Sequence, residues 1–270
     1  MGKGKYNNSL LLSDRMKMYE KVNTSYLMRR NPIIIRLDGR AFHTFTKDMN
    51  KPFDSILMNS MQETAKALCE SIQGCKMAYT QSDEISLLIT DYDSIKTEAW
   101  FDYNVQKMVS LSASSATLFF NAIFKNNVEE FFKTKEIEDA EEFLKISDIY
   151  KKKIFKATFD SRVFPIPKDD IVNYFIWRQE DATRNSIQMV AQANFTHKEI
   201  QSISCNDLQS KLLTEKNINW NNFSASEKRG TAIIKKNRVV NAEGLIRKKW
   251  IIDYNTPIFK KERNYIEQLI

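Results

Sequence analysis

Apolar residues along this chain change their spacing several times, and each change marks an element. Met16, Tyr19, Val22 and Tyr26 recur every three to four positions and predict a helix over 14–29. Pro32 closes that region. Ile33-Ile-Ile-Arg-Leu37, β-branched and apolar, then predicts a short buried strand stopped by Asp38-Gly39. Asp54 or Ser55 can cap a helix whose Leu57, Met61, Ala65, Leu68 and Ile72 share one face, with Gly74 as its terminator. Residues 76–80 and 85–90 follow as strands around Gln81-Ser-Asp-Glu84, which is hairpin spacing. A long helix over about 98–124 is rich in small residues, among them Ser112, Ala113 and Ala116, so another element can approach closely. Residues 158–165 read as a strand and 168–194 as a helix. Residues 229–235, 238–242 and 250–254 read as β structure. The succession strand, helix, hairpin predicts an α/β (α+β) fold: a βαββ unit whose sheet contains antiparallel strands, with flanking helices and a basic C-terminal appendage. Neither an internal repeat nor a clear linker is present.

Composition narrows the class. The 270 residues carry 42% hydrophobic and 11% aromatic side chains, enough for a sizeable core and not the make-up of a disordered chain. Apolar runs are too short for a membrane span, and the N-terminal stretch is too soon broken for a secretory signal. Cys69, Cys75 and Cys205 form no disulfide framework and fit a reducing compartment, so the expected location is cytoplasmic. Two histidines and three cysteines give no zinc spacing, and no P-loop motif occurs. The net charge of +7 is unevenly placed: Lys228 to Arg263 contains eleven basic residues against three acids, leaving the rest near neutral. A second basic cluster runs from Lys151 to Lys156. A basic tail carrying Trp250 and Tyr254 suits a phosphate backbone with rings for stacking, although a solvated lysine-rich surface has the same composition.

Asp38 ends the first strand, and Asp83-Glu84 stands at the hairpin turn. In a βαββ sheet these strands can be neighbours, so the acids can converge on one edge. Carboxylates that close repel unless cations lie between them, and two Mg²⁺ ions would stabilise the group and bridge nucleotide phosphates. That is the arrangement of two-metal phosphoryl or nucleotidyl transfer. Gly39 beside Asp38 lets its backbone carbonyl serve as a further ligand. The plain alternative is two solvated turn acids and an ordinary Asp-Gly turn.

Ile35-Arg-Leu-Asp-Gly-Arg40 with Phe42-His43, and Tyr79-Thr-Gln-Ser-Asp-Glu84, resemble the two signature blocks of the tRNA(His) guanylyltransferase superfamily. Lys51-Pro52, Phe159-Asp-Ser-Arg-Val163, Trp177-Arg-Gln179 and Lys228-Arg-Gly-Thr231 follow in family order, so the resemblance covers roughly 10–235. It implies a polymerase palm-like domain over 1–235 and a basic extension over 236–270. It further implies an enzyme that adds nucleotides to RNA 5′ ends in the 3′–5′ direction, from ATP-activated or triphosphorylated ends. The eukaryotic enzymes carry His-Ile-Asn-Asn-Leu-Tyr-Asn soon after the Trp-Arg-Gln block. Here Thr183-Arg-Asn-Ser-Ile-Gln-Met189 stands in its place and keeps only Asn185. This is similar to the bacterial, archaeal and organellar like-protein branch, implying template-directed repair of 5′-truncated tRNA. A guanylyltransferase adding G to tRNA(His) and a non-catalytic RNA-binding protein are the alternatives.

By the same resemblance Asp38, Gly39 and Asp83 hold metal, with Asp38, Asp83 and Glu84 the catalytic acids, Glu84 either acting beside them or only supporting the hairpin. Arg36, Lys51, Ser82 and Lys107 match triphosphate contacts, the alternative being ordinary surface lysines and a strand-edge arginine, while Asn185 matches a nucleotide contact or caps a local turn. Asp54 reads a purine edge or caps its helix. His43 lies in the packing or near the base. The implied partners are tRNA, ATP, GTP and other nucleoside triphosphates, two Mg²⁺ ions, and further copies of the chain in a homodimer or homotetramer.

Overall fold

The computed structural model describes residues 11–134, 139–239 and 246–270. The expectations for the N-terminal ten residues and for residues 240–242 of the 238–242 strand lie outside them. Six strands form one antiparallel sheet: β1 (Ile33–Gly39), β2 (Cys75–Gln81), β3 (Glu84–Ile89), β4 (Phe159–Pro165), β5 (Thr231–Val239) and β6 (Ile246–Asp253), in the order β4-β1-β3-β2-β5-β6. The helices are α1 (Leu12–Lys21), α2 (Phe42–Phe45), α3 (Ser55–Ser71), α4 (Val105–Thr134), α5 (Ala140–Lys151), α6 (Ile171–Asn194), α7 (His197–Ile200), α8 (Cys205–Lys216), α9 (Ala225–Arg229) and α10 (Asn264–Glu267).

The run Ile33-Ile-Ile-Arg-Leu37 is continuous rather than alternating because the sheet is covered on both faces. Ile33, Ile35 and Leu37 join Ile85, Leu87 and Ile89 under α3 and α4. Ile34, Met77, Tyr79 and Leu88 meet α6 and Phe259 on the other face. Each fully buried aliphatic side chain here stabilises by about 1.5–3 kcal/mol relative to exposure. A third apolar cluster, Ile187, Val190, Leu208 and Leu212, fastens α8 to α6.

Local sequence explains the boundaries near the site. Asp54 caps α3 by accepting from Leu57 N–H at 2.8 Å, and Gly74 turns the chain into β2 at φ +77. The small residues of α4 do bring a neighbour close: Ser112 Oγ lies 2.7 Å from Ser161 Oγ on β4, with Ala116 fully buried. Asn121 then satisfies both backbone groups of buried Ala157, donating to its carbonyl at 2.8 Å and accepting from its N–H at 3.2 Å. Asn121→Ala strands that buried donor and acceptor and is expected to cost about 1–3 kcal/mol, read as a lower denaturation midpoint at unchanged slope.

Three expectations change. The helix foreseen over 14–29 ends at Lys21, and residues 22–32 continue irregularly, with Tyr26 bridged to Asn104. None of the α1 residues is buried, so its apolar spacing has no surface to hold it within the chain. The long helix begins at Val105 rather than 98, after a 3₁₀ turn over Trp100–Tyr103. The strands foreseen at 229–235 and 238–242 share one ladder, β5, which pairs with β6 as the sheet edge. The 235/236 boundary therefore falls inside β5, and the basic segment completes the sheet.

Candidate active site

The antiparallel register sets Asp38 directly opposite Glu84 on one side and Asp160 on the other. Ser82 and Asp83 make the two-residue turn between Gln81 and Glu84, with Ser82 at φ +50. Gly39 N–H donates to the Asp83 carbonyl at 3.1 Å, so the end of β1 is hydrogen-bonded to that turn. This bond makes the two distant acids neighbours. Gly39 is needed for packing as well: a Cβ there would lie 2.3 Å from the Phe42 ring, which is buried beneath the strand end.

Asp38, Gly39, His43, Ser82 and Asp83 line a cavity of about 410 Å³. Ser82 and Leu57 are shared with an adjoining cleft that Asp54, Asn185 and Met189 also line. Ser82 Oγ donates to Asp83 at 3.0 Å. Burial pushes the Asp83 carboxyl up. The Ser82 hydroxyl and the residue's own N–H oppose that shift, and the negative charges of Asp38 and Glu84 add to it. Among the described residues no lysine or arginine forms an ion pair with Asp38 or Asp83. Two crowded carboxylates lacking a protein cation, beside a glycine carbonyl, are the hard oxygen donors that suit Mg²⁺.

Glu84 has a different environment. It is 4% exposed and held by three guanidinium contacts: Arg178 Nε at 2.7 Å, Arg178 Nη2 at 2.9 Å and Arg36 Nη2 at 2.5 Å. Burial works against the charge on Arg178, and Glu84 and Asp181 more than restore it, so its pKa is raised. Trp177 lies over Arg178 at 4.3 Å and near Arg36 at 5.8 Å. No three His, Cys, Asp or Glu side chains gather as a ready ligand cage among the described residues, which fits a Glu84 turned towards arginines.

The remaining candidates separate. Both Asp54 oxygens are engaged, one by Leu57 N–H and the other by Asn50 N–H and the Tyr150 hydroxyl, so its capping role is fully realised. Lys51 is exposed on the loop before α3, two residues from the cleft-lining Phe53. Lys107 is not brought here within one chain. It sits in the first turn of α4, near the Phe101 ring, at the end of the sheet away from Asp38. Lys153 of the second basic cluster donates to the Phe45 and Lys47 carbonyls at 2.5 and 2.7 Å, tying down the loop after α2. Arg178 and Asp160 had no role in the sequence reading. Both belong to motifs of the family, and only the pairing shows that one grips Glu84 and the other faces Asp38.

A tRNAHis guanylyltransferase family model matches residues 13–167. The chain is 44% identical to a bacterial tRNA(His) guanylyltransferase (Thg1)-like protein solved in complex with ATP, at a TM-score of 0.79 over 96% of this chain and 99% of that one. A bacterial like-protein solved with GTP is 41% identical at a TM-score of 0.75, over 95% and 97%. The tRNA(His) guanylyltransferase of Debaryomyces hansenii is 28% identical over 82% of this chain and 78% of its own length. With both signature blocks folded against one another at the strand ends, the chain belongs to the tRNAHis guanylyltransferase family and is a nucleotidyltransferase of that type.

Proposed function

We propose that this enzyme extends the 5′ ends of truncated tRNA in the 3′–5′ direction, using the opposite strand of the acceptor stem as template. The observation that carries the reading is the junction of Asp38 and Asp83 through the Gly39–Asp83 hydrogen bond, at the mouth of a cleft reaching Asn185. Support for repair over G addition to tRNA(His) comes from two sources: the greater identity to the bacterial like-proteins, and the sequence around Asn185, which lacks the rest of the eukaryotic block.

In the reaction, the 3′-hydroxyl of the incoming nucleotide attacks the α-phosphorus of the activated 5′ end. AMP leaves from an adenylylated end, or pyrophosphate from a triphosphate. Asp38, Asp83 and the Gly39 carbonyl would hold Mg²⁺, which when bound neutralises phosphate charge and acidifies the attacking hydroxyl. Ser82 and Lys51 offer a hydroxyl and an ammonium to phosphate oxygens at the cleft, and Asn185 lines the nucleotide's side of it. Arg36 and Arg178 keep Glu84, and with it the turn, in place. Lys107 reaches phosphate only if another copy of the chain supplies the site, in keeping with the homodimer or homotetramer that the family resemblance implies.

The β5–β6 ribbon is the candidate tRNA contact. Lys236, paired with Asp253 at 3.3 Å, stands opposite Lys249, and Lys235 lies 4.8 Å from the Trp250 ring. Like charges directly opposite destabilise a ladder, and an RNA phosphate between them offsets that. No helix among the described residues is long and apolar enough to cross a membrane. The tRNA-processing family to which the chain belongs supports a cytoplasmic location. A gel assay with 5′-labelled tRNA lacking its first nucleotide, each NTP in turn and an EDTA control tests the reading. Extension by the templated nucleotide is expected, abolished by EDTA. Activity confined to G addition on full-length tRNA(His) would establish the guanylyltransferase instead.

A further inference from the structure

A cavity of about 650 Å³ lies on the outer side of α6, between that helix, the segment around Trp220–Arg229 and the chain near Ile258 and Lys260. The catalytic reading makes no use of it. Two of its walls are indole rings, Trp177, which is 49% exposed, and Trp220, whose Nε1 is anchored on Ser186 Oγ at 3.0 Å.

Four cations and one acid line the cavity, but the cations are not equivalent. Lys260 is paired with Glu180 at 3.1 Å, and Arg184 with Asp181 at 2.7 Å. Lys228 and Arg229 contact only carbonyl oxygens: Lys228 Nζ donates to Asn221 at 2.5 Å and Arg229 Nε to Thr256 at 2.8 Å. Lys228 also lies 5.8 Å from the Trp220 ring centre. Burial and then the neighbouring Arg229 charge hold the Lys228 ammonium below its ordinary value, with the Glu227 charge opposing them. Flat aromatic walls beside uncompensated cations complement a heterocyclic base joined to phosphate. Two free cations match the charge of a phosphodiester chain better than that of a triphosphate.

The position narrows the source. Trp177 is a wall of this cavity, and it covers Arg178, the residue that grips Glu84 next to Asp83. One ring and one guanidinium thus separate the cavity from the catalytic turn. The RNA segment that is unpaired and lies beside an acceptor-stem 5′ end is the 3′ tail. We infer that this cavity holds an unpaired nucleotide of the RNA substrate's 3′ tail, its base against Trp177 and Trp220 and its phosphate at Lys228 and Arg229. The inference rests on the reading of the chain as an enzyme of RNA 5′ ends.

Two measurements test it on the full chain. Tryptophan fluorescence in EDTA, titrated with a single-stranded RNA tetranucleotide, is expected to show saturable quenching. Lys228→Gln should raise the dissociation constant about tenfold, and Trp220→Leu should lower the quenching amplitude by about half, leaving the share that Trp177 contributes. In extension assays on duplexes with a recessed 5′ end, Lys228→Gln should raise KM about tenfold more for a duplex with a 3′ overhang than for a blunt one, at unchanged kcat. Quenching by ATP at the tetranucleotide's affinity would assign the cavity to free nucleotides and overturn the proposal. So would quenching that neither variant alters, or equal KM shifts on the two duplexes. If the unaltered chain extends neither duplex, the functional reading fails, while the fluorescence titration still decides the cavity.

Discussion

Asp83→Ala is expected to lower nucleotide addition by at least about a thousandfold, because it removes half of the oxygen pair that collects the divalent charge, and such charge stabilisation is worth several kcal/mol. The neutral isostere separates chemistry from folding. Burial and the nearby Asp38 and Glu84 charges raise the Asp83 pKa in the folded chain above its unfolded value. Its contribution to stability is therefore present at low pH and lost as pH rises through the folded-state pKa, where the half-buried group must ionise. Asp83→Asn has no such group to ionise. In EDTA at neutral pH it should melt higher than the unaltered protein, with the difference closing as pH falls. Magnesium should reverse the order by raising only the unaltered protein's melting temperature. Thermal melts at three pH values with and without Mg²⁺ read this directly. A variant that melts lower in EDTA, or that keeps its magnesium response, would remove Asp83 from the proposed metal site.

What the sequence disclosed and what it withheld follow from the range of the interactions. Asp38-Gly39 and Ser82-Asp83 were legible because each ends an apolar run with residues suited to a turn, a local signal. The face of α3 and its Asp54 cap were legible for the same reason. The end of α1 was not, since a three-to-four spacing marks a helix only where something packs on it, and α1 buries nothing. Lys236 and Asn237 broke the apolar alternation and read as an interruption, whereas the ladder to β6 carries β5 across them. Lys107 matches a phosphate contact by resemblance, yet in the 30-residue α4 it is Thr117, accepting from Phe159 N–H opposite Gly39, that stands level with the acids, and the sequence does not say which turn of so long a helix will lie there. Arg178 escaped notice because its partner is 94 positions away. Nothing local distinguishes a helix arginine that will be 3% exposed from one in water.

Arg178 also carries the second large effect. Arg178→Met should destabilise the fold by about 3 kcal/mol, the cost of leaving a buried carboxylate with part of its compensation gone, Arg36 supplying the remainder. Arg178→Lys should not restore it, because one ammonium cannot meet both Glu84 oxygens as the fork does at 2.7 and 2.9 Å. Removing both charges, as Glu84→Gln with Arg178→Met, should cost less than the sum of the single changes, since neither buried charge is then left unpaired. Denaturation midpoints for the four proteins complete the cycle. The same proteins settle what Glu84 does. If it positions the turn, Arg178→Met and Glu84→Gln lower kcat together while the Mg²⁺ concentration for half-activity moves little. A Glu84→Gln that abolishes activity beside a nearly unimpaired Arg178→Met would make Glu84 a direct ligand, and the arginine grip a feature of the metal-free state alone.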